Sequence, residues 1–211
     1  MGRSLVKCLL WGLIVLVHLH GHRGCFEDER KGLLEIKEFV RSSPNITDHH
    51  LLHSWVDEPE SECCEWERVA CNSTTGHVTQ LSLHNIRDLY FYCDEFYYYD
   101  RKNIIWFLNV SLFETFQELK SLNLSCNAIG GWIENEDSRM KLERLDLGSN
   151  MFNRSIIQSL RLFKSLKTLS LPDNSLEGSF PAKELSVFED LEMLDLSNNE
   201  FNGSLTVQDK R

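Results

Sequence analysis

Leu119-Lys-Ser-Leu122-Asn-Leu124-Ser-Cys-Asn127, Leu142-Glu-Arg-Leu145-Asp-Leu147-Gly-Ser-Asn150, Leu166-Lys-Thr-Leu169-Ser-Leu171-Pro-Asp-Asn174 and Leu191-Glu-Met-Leu194-Asp-Leu196-Ser-Asn-Asn199 align without a gap. The intervals Asn127–Asn150, Asn150–Asn174 and Asn174–Asn199 are 23, 24 and 25 residues. A degenerate first copy is Val78-Thr-Gln-Leu81-Ser-Leu83, with Ile86 in place of the asparagine. Self-similarity at a period of this length means stacked coils, each sealing its neighbour's apolar layer. Within a coil the Leu-x-Leu pair alternates with period two, so it forms a short strand with both leucines turned inward. The amide of Asn127, Asn150, Asn174 and Asn199 both donates and accepts, and at the end of each strand it can satisfy backbone groups buried between coils.

The pattern L-x-x-L-x-L-x-x-N at this period is that of the leucine-rich repeat. It predicts an α/β solenoid, a superhelix with a parallel sheet on its concave face. A second apolar pair follows each asparagine: Ile129/Ile133, Phe152/Ile156, Leu176/Phe180 and Phe201/Leu205. These pairs are expected to line the inner side of the outer wall. Gly131, Gly178 and Gly203 lie between the members of three of them, and Pro181 alone fills the proline position of the G-x-I-P pattern.

Upstream of the repeats the pattern changes. Phe26–Arg41 is charged but carries Leu33, Leu34, Ile36, Phe39 and Val40 at three- and four-residue spacings, which predicts one amphipathic helix. Residues 25–76 are read as a cap, because the first coil of a solenoid has no neighbour to cover its leucines. Residues 1–24 read as a secretory signal peptide: Arg3 and Lys7, then the apolar run Cys8–Leu19, too short to span a bilayer, then a small-residue region. Cys8 leaves with that peptide, so the seven cysteines become six, an even number for an oxidising compartment.

The run from Leu33 through Ser54-Trp55, Cys63-Cys64-x-Trp66-x-x-Val69-x-Cys71 and Gly76-x-Val78 resembles the N-terminal cap of plant extracellular leucine-rich-repeat receptors. The continuation Trp106–Phe113 is similar to the receptor-like proteins, the branch without a kinase. The resemblance implies a cap stapled by Cys25–Cys63 and Cys64–Cys71. Cys93 and Cys126 remain and are expected to pair. It also implies a peptide or protein ligand, a co-receptor kinase as partner, and a place in signalling or defence. The implied location is the secretory pathway and then the apoplast, or the plasma-membrane surface if a full-length product carries a C-terminal span. An alternative is a secreted inhibitor similar to polygalacturonase-inhibiting proteins; another is an inactive remnant. Such receptors carry many more repeats, so the chain is expected to be an N-terminal fragment or a truncated product that self-associates through its uncapped last coil.

Residues 77–211 hold five repeats with an insertion near 86–112, since Leu81 to Leu122 spans 41 residues. The excess includes Leu89-Tyr-Phe-Tyr-Cys-Asp-Glu-Phe-Tyr-Tyr-Tyr-Asp100. A loop packing these rings over the first coil is favoured over a recognition patch. Asn45, Asn72, Asn109, Asn123, Asn153 and Asn202 head Asn-x-Ser/Thr sequons. Asn123 lies between two inward leucines, so a sugar there would block part of the concave face.

The outward strand positions form the candidate binding face: Gln80, Ser82 and His84; Ser121, Asn123 and Ser125; Arg144, Asp146 and Gly148; Thr168, Ser170 and Pro172; Met193, Asp195 and Ser197. They hold no aromatic anchor of the kind that usually concentrates binding energy. The 22 basic residues against 32 acidic ones exclude a nucleic-acid binder, which must neutralise phosphates. No later stretch reaches membrane-span length. His49, His50 and His53 lack a cysteine or carboxylate at ligand spacing, the acidic run Asp57–Glu67 reads as solvated, and no nucleophile or phosphate-binding motif occurs. The expectation is no catalysis, no metal and no cofactor.

Overall fold

The computed structural model describes residues 25–43, 51–58, 61–86, 105–133 and 140–202. The leader segment, Asn45, the tyrosine-rich stretch with Cys93, and Leu205 lie outside the described residues.

Helix α1 spans Glu27–Arg41, with three acids in its first turn and Arg41 in its last, both favourable to the helix dipole. Leu33, Ile36 and Val40 are buried along one stripe. Where α1 crosses the turn after Val110–Phe113, a Cβ on Gly32 would collide with Thr115 Cγ2, so a side chain at this position would force Thr115 or the helix to shift. The disulfides Cys25–Cys63 and Cys64–Cys71 tie the start of α1 and the first strand to the 3-10 turn Cys63–Glu65.

Strand β1 (Val69–Cys71) runs antiparallel to β2 (Val78–Ser82). Strand β3 is Trp106–Asn109, β4 Ser121–Asn123, β5 Ile129–Ile133, β6 Arg144–Asp146, β7 Thr168–Ser170, β8 Glu177–Gly178, β9 Met193–Asp195 and β10 Glu200–Phe201. The main sheet has the order β1-β2-β4-β6-β7-β9, parallel from β2 onward. Its register places Leu81, Leu122, Leu145, Leu169 and Leu194 side by side. The first four are at most 3% exposed. One strand per coil, all in one register, is the leucine-rich-repeat solenoid with its disulfide-stapled cap.

The outer wall departs from the simple pairing. Ile129, Phe152, Ile156 and Leu176 are buried, but Ile133 is 59% and Phe180 38% exposed. In β5, which pairs with β3, Trp132 takes the inward place instead of Ile133; its ring meets Phe152 and Phe163 edge-on at 5.9 and 5.6 Å. Indole fills more of the layer than a branched aliphatic and leaves Ile133 on the outside. Phe180 meets Phe201 of the next coil edge-on, while Pro181 beneath it is buried. A row of Phe116, Phe163 and Phe188, each three residues before a repeat's opening leucine, closes the returning side of the coils and is at most 5% exposed. Short helices α2 (Ile156–Ser159) and α3 (Ala182–Leu185) occupy the outer wall in two coils.

Candidate recognition face

The ladder asparagines show how each strand end is held. Asn150 Nδ2 donates to Leu124 O, Leu147 O and Gly148 O, and its Oδ1 accepts from Asn127 N and Ile129 N. Asn127, Asn174 and Asn199 repeat this in their own coils, each donating to three carbonyls in two coils. The residue before the ladder position is left-handed in every coil: Asn85, Cys126, Ser149, Asp173 and Asn198 have φ between 45 and 63°. This turn carries the chain from the sheet into the outer wall and fixes where the concave face ends.

On that face Gln80, Ser82, His84, Arg144 and Met193 are exposed; Ser121, Asn123, Asp146, Thr168, Ser170, Pro172 and Asp195 are half-buried. The register makes two rows across the coils, Gln80–Ser121–Arg144–Thr168–Met193 and Ser82–Asn123–Asp146–Ser170–Asp195. Ser197 is exposed, but Ser125 and Gly148 are buried rather than outward-facing. Ser125 Oγ donates to Asn123 Oδ1 and lies 2.8 Å from His84 Nδ1. The Pro172 ring roofs Gly148 so closely that a Cβ there would sit 3.0 Å from Pro172 Cγ. The third row is therefore interrupted at Ser125 and Gly148, and the two rows that precede the ladder turn are the continuous ones.

Three of the five residues of the second row already have work in the fold. Asn123 Oδ1 accepts from Ser125 N, Asp146 Oδ1 from Gly148 N, and Asp195 Oδ1 from Ser197 N and Ser197 Oγ. Those bonds from Ser197 hold the Asp195 carboxyl below its ordinary value. Beside the first row, Lys120 and Lys167 flank Glu143 at 3.2 and 3.0 Å, which lowers the Glu143 pKa and raises that of Lys167. Arg144, in the middle of the face, has no ion pair or side-chain hydrogen bond among the described residues.

Toward the cap, an open pocket of about 390 Å³ is lined by Arg68, Gln80, Ser82, Ser121 and Asn123 among others. Arg68 was not singled out by the sequence; its guanidinium donates to Ser82 O and His84 O and forms the pocket wall. Two buried ionisable groups were also missed. Glu29, 2% exposed, binds Val78 N at 3.0 Å and His77 Nδ1 at 3.1 Å. Lys37 donates to Leu52 O and Trp55 O at 2.8 and 2.6 Å, and its burial pushes its pKa down. Both anchor the cap to the first coil or to its own loop. Their signal was the i, i+4, i+8 spacing of Glu29, Leu33 and Lys37, which puts all three on the buried stripe. Cys126 is disulfide-bonded, whereas Cys93 lies outside the described residues. Among the described residues no group of three or more His, Cys, Asp or Glu is arranged to hold a metal, and no helix is long and apolar enough to cross a membrane.

Residues 26–72 match the family described as leucine rich repeat N-terminal domain. Receptor-like protein 56 of Arabidopsis thaliana is 38% identical over 184 residues, which are 84% of this chain and 18% of that protein. Receptor-like protein 9b of the same plant is 40% identical over 192 residues, 88% of this chain and again 18% of its own length. The chain thus spans less than a fifth of these relatives. Among solved structures, a chain of the BIR3–SERK2 complex from Arabidopsis thaliana superposes with a TM-score of 0.52 at 27% identity, covering 74% of this chain and 76% of that one. The SOBIR1 receptor-kinase ectodomain from the same plant gives a TM-score of 0.53 at 23% identity over 85% and 84% of the two chains, a likeness of fold.

Proposed function

The chain belongs to the leucine-rich-repeat receptor-like proteins of plants, and from that premise we propose that its concave sheet is the cap-proximal part of an extracellular surface that recognises a peptide or protein ligand. The observation that carries this is the first outward row. The register aligns Gln80, Ser121, Arg144, Thr168 and Met193 across five coils. Arg144 stands at its centre without an ion pair among the described residues, and Met193 is 61% exposed. An unpaired guanidinium between two hydroxyl-bearing neighbours suits a carboxylate or carbonyl of an extended segment. Arginine is also among the side chains that most often concentrate binding energy.

A kinase-less receptor signals through a partner. The likeness to a chain of the BIR3–SERK2 complex from Arabidopsis thaliana supports a second receptor chain, a co-receptor kinase, as that partner. Signalling in defence is part of the same proposal. The test is photo-crosslinking of the secreted chain to extracellular plant peptides, followed by mapping. Crosslinks should fall on the two outward rows, and Arg144→Ala should weaken capture roughly tenfold or more, as loss of a central arginine anchor does. Crosslinks confined to the outer wall, with Arg144→Ala unaffected, would overturn the reading.

A further inference from the structure

The fold makes different demands on the amides of the sequons. Asn72 Nδ2 donates to Glu118 Oε2 at 3.1 Å, so one of its hydrogens is already committed. At Asn109, Asn123 and Asn153 the bonded atom is Oδ1. It accepts the N–H of the serine two residues on, at 3.1, 2.9 and 2.9 Å, and that serine's hydroxyl at 2.7, 2.7 and 2.6 Å. Their Nδ2 atoms make no hydrogen bond among the described residues. Asn109 and Asn153 lie on the outer wall. Asn123 alone of the three lies on the concave sheet, where it borders the 390 Å³ pocket together with Gln80, Ser82 and Ser121.

The cap that Asn123 makes does not require an amide. Asp195 makes the same pair of bonds to Ser197, at 2.9 and 2.7 Å. What Asn123 has and Asp195 lacks is a nitrogen, turned free beside a cavity walled by an amide, two hydroxyls and a guanidinium. Those groups suit the hydroxyls and acetamide of a sugar.

We propose that Asn123 is an N-glycosylation site whose first sugar seats in this pocket, withdrawing the cap end of the concave face from protein ligands so that ligand contact begins at Arg144. In the modification, Asn123 Nδ2 bonds to the anomeric carbon of an N-acetylglucosamine carried on a lipid pyrophosphate in the secretory pathway. The bond from that carbon to the phosphate oxygen breaks, its electron pair leaves with the pyrophosphate, and Nδ2 gives up one proton. Both Oδ1 bonds survive. The exclusion of ligands rests on the recognition reading above; the modification and the seating do not.

The test uses the full chain secreted from a glycosylating host. Enzymatic deglycosylation in heavy-oxygen water turns each occupied asparagine into a mass-labelled aspartate. Asn123 is expected to carry the label, and Asn123→Asp to lose one glycan's mass with an unchanged denaturation midpoint, because aspartate keeps the cap. Hydroxyl-radical footprinting should then show the 78–84 peptide more reactive in Asn123→Asp than in the glycosylated parent. An unlabelled Asn123 in the secreted, folded chain overturns the site. A labelled Asn123 with identical footprints overturns the seating. Failure of the recognition reading looks different: concave crosslinks are then absent from parent and variant alike, while the label at Asn123 remains.

Discussion

Asn150 shows how much one side chain can carry. It is 4% exposed and its amide serves five backbone groups in neighbouring coils. At so buried a position truncation strands donors and acceptors at about 1–3 kcal/mol each, less whatever relaxation recovers. Asn150→Ala is therefore expected to cost about 3–5 kcal/mol by chemical denaturation, near the upper end for single substitutions. Asn199 makes the same bonds to Leu171, Leu196 and Ser197 but is only half-buried. Asn199→Ala should cost less than half as much. Equal losses at the two sites would show that the ladder does not act through burial. The sequence displayed this role openly, because an asparagine that returns every 23 to 25 residues at one offset from the leucines must occupy the same place in each coil.

Between elements, the starts of β4, β6 and β7 are tied along one rim by Lys120, Glu143 and Lys167. The Glu143 pKa is lowered by the hydrogen bonds from Lys167 and Lys120, so its contribution to stability is complete above the ordinary carboxylate value of 4.5. That contribution disappears as the pH falls through the lower folded value. The Lys167 pKa is raised, chiefly by its hydrogen bond to Glu143; its contribution is complete below 10.5 and is lost as the pH climbs through the folded value. Denaturation of the parent and of Glu143→Gln should differ slightly at neutral pH and converge as the pH drops below 4.5. Added salt should shrink the difference, as expected of solvent-exposed pairs. A difference that persists in acid would mean that Glu143 acts by packing. Helix α1 makes the complementary point: its stripe was legible and the spacing put Glu29 and Lys37 on it, yet the sequence did not show that these two charges would be buried. A charge on a helix is normally solvated, and only the neighbouring Val78 N–H and the Leu52 and Trp55 carbonyls make these two exceptions.

At the scale of the molecule the strand leucines are sealed in each coil until the last one described. Leu166, Leu169 and Leu171 are fully buried, whereas Leu191, Leu194 and Leu196 are only partly covered. In each earlier coil two N–H groups at the end of the strand reach carbonyls of the next coil, as Leu171 N does to Asp195 O and Asp173 N to Ser197 O. Leu196 and Asn198 hold the corresponding places at the far edge. The 211-residue chain by itself is expected to self-associate with rising concentration in light scattering, and an added following coil closed by a polar cap should suppress this. A monomer at all concentrations would count against an open apolar end.

The period, the ladder and the helix stripe were determined by the sequence alone, because each is a local pattern that recurs at a fixed spacing; the cap pairings came from the resemblance to a known family. Tertiary structure decided the rest: Trp132 inward and Ile133 out, Ser125 and Gly148 covered, Glu29 and Lys37 buried, Arg68 at a pocket wall. Each of these depends on which group from a neighbouring coil or from the cap arrives opposite, and a linear pattern carries no record of that meeting.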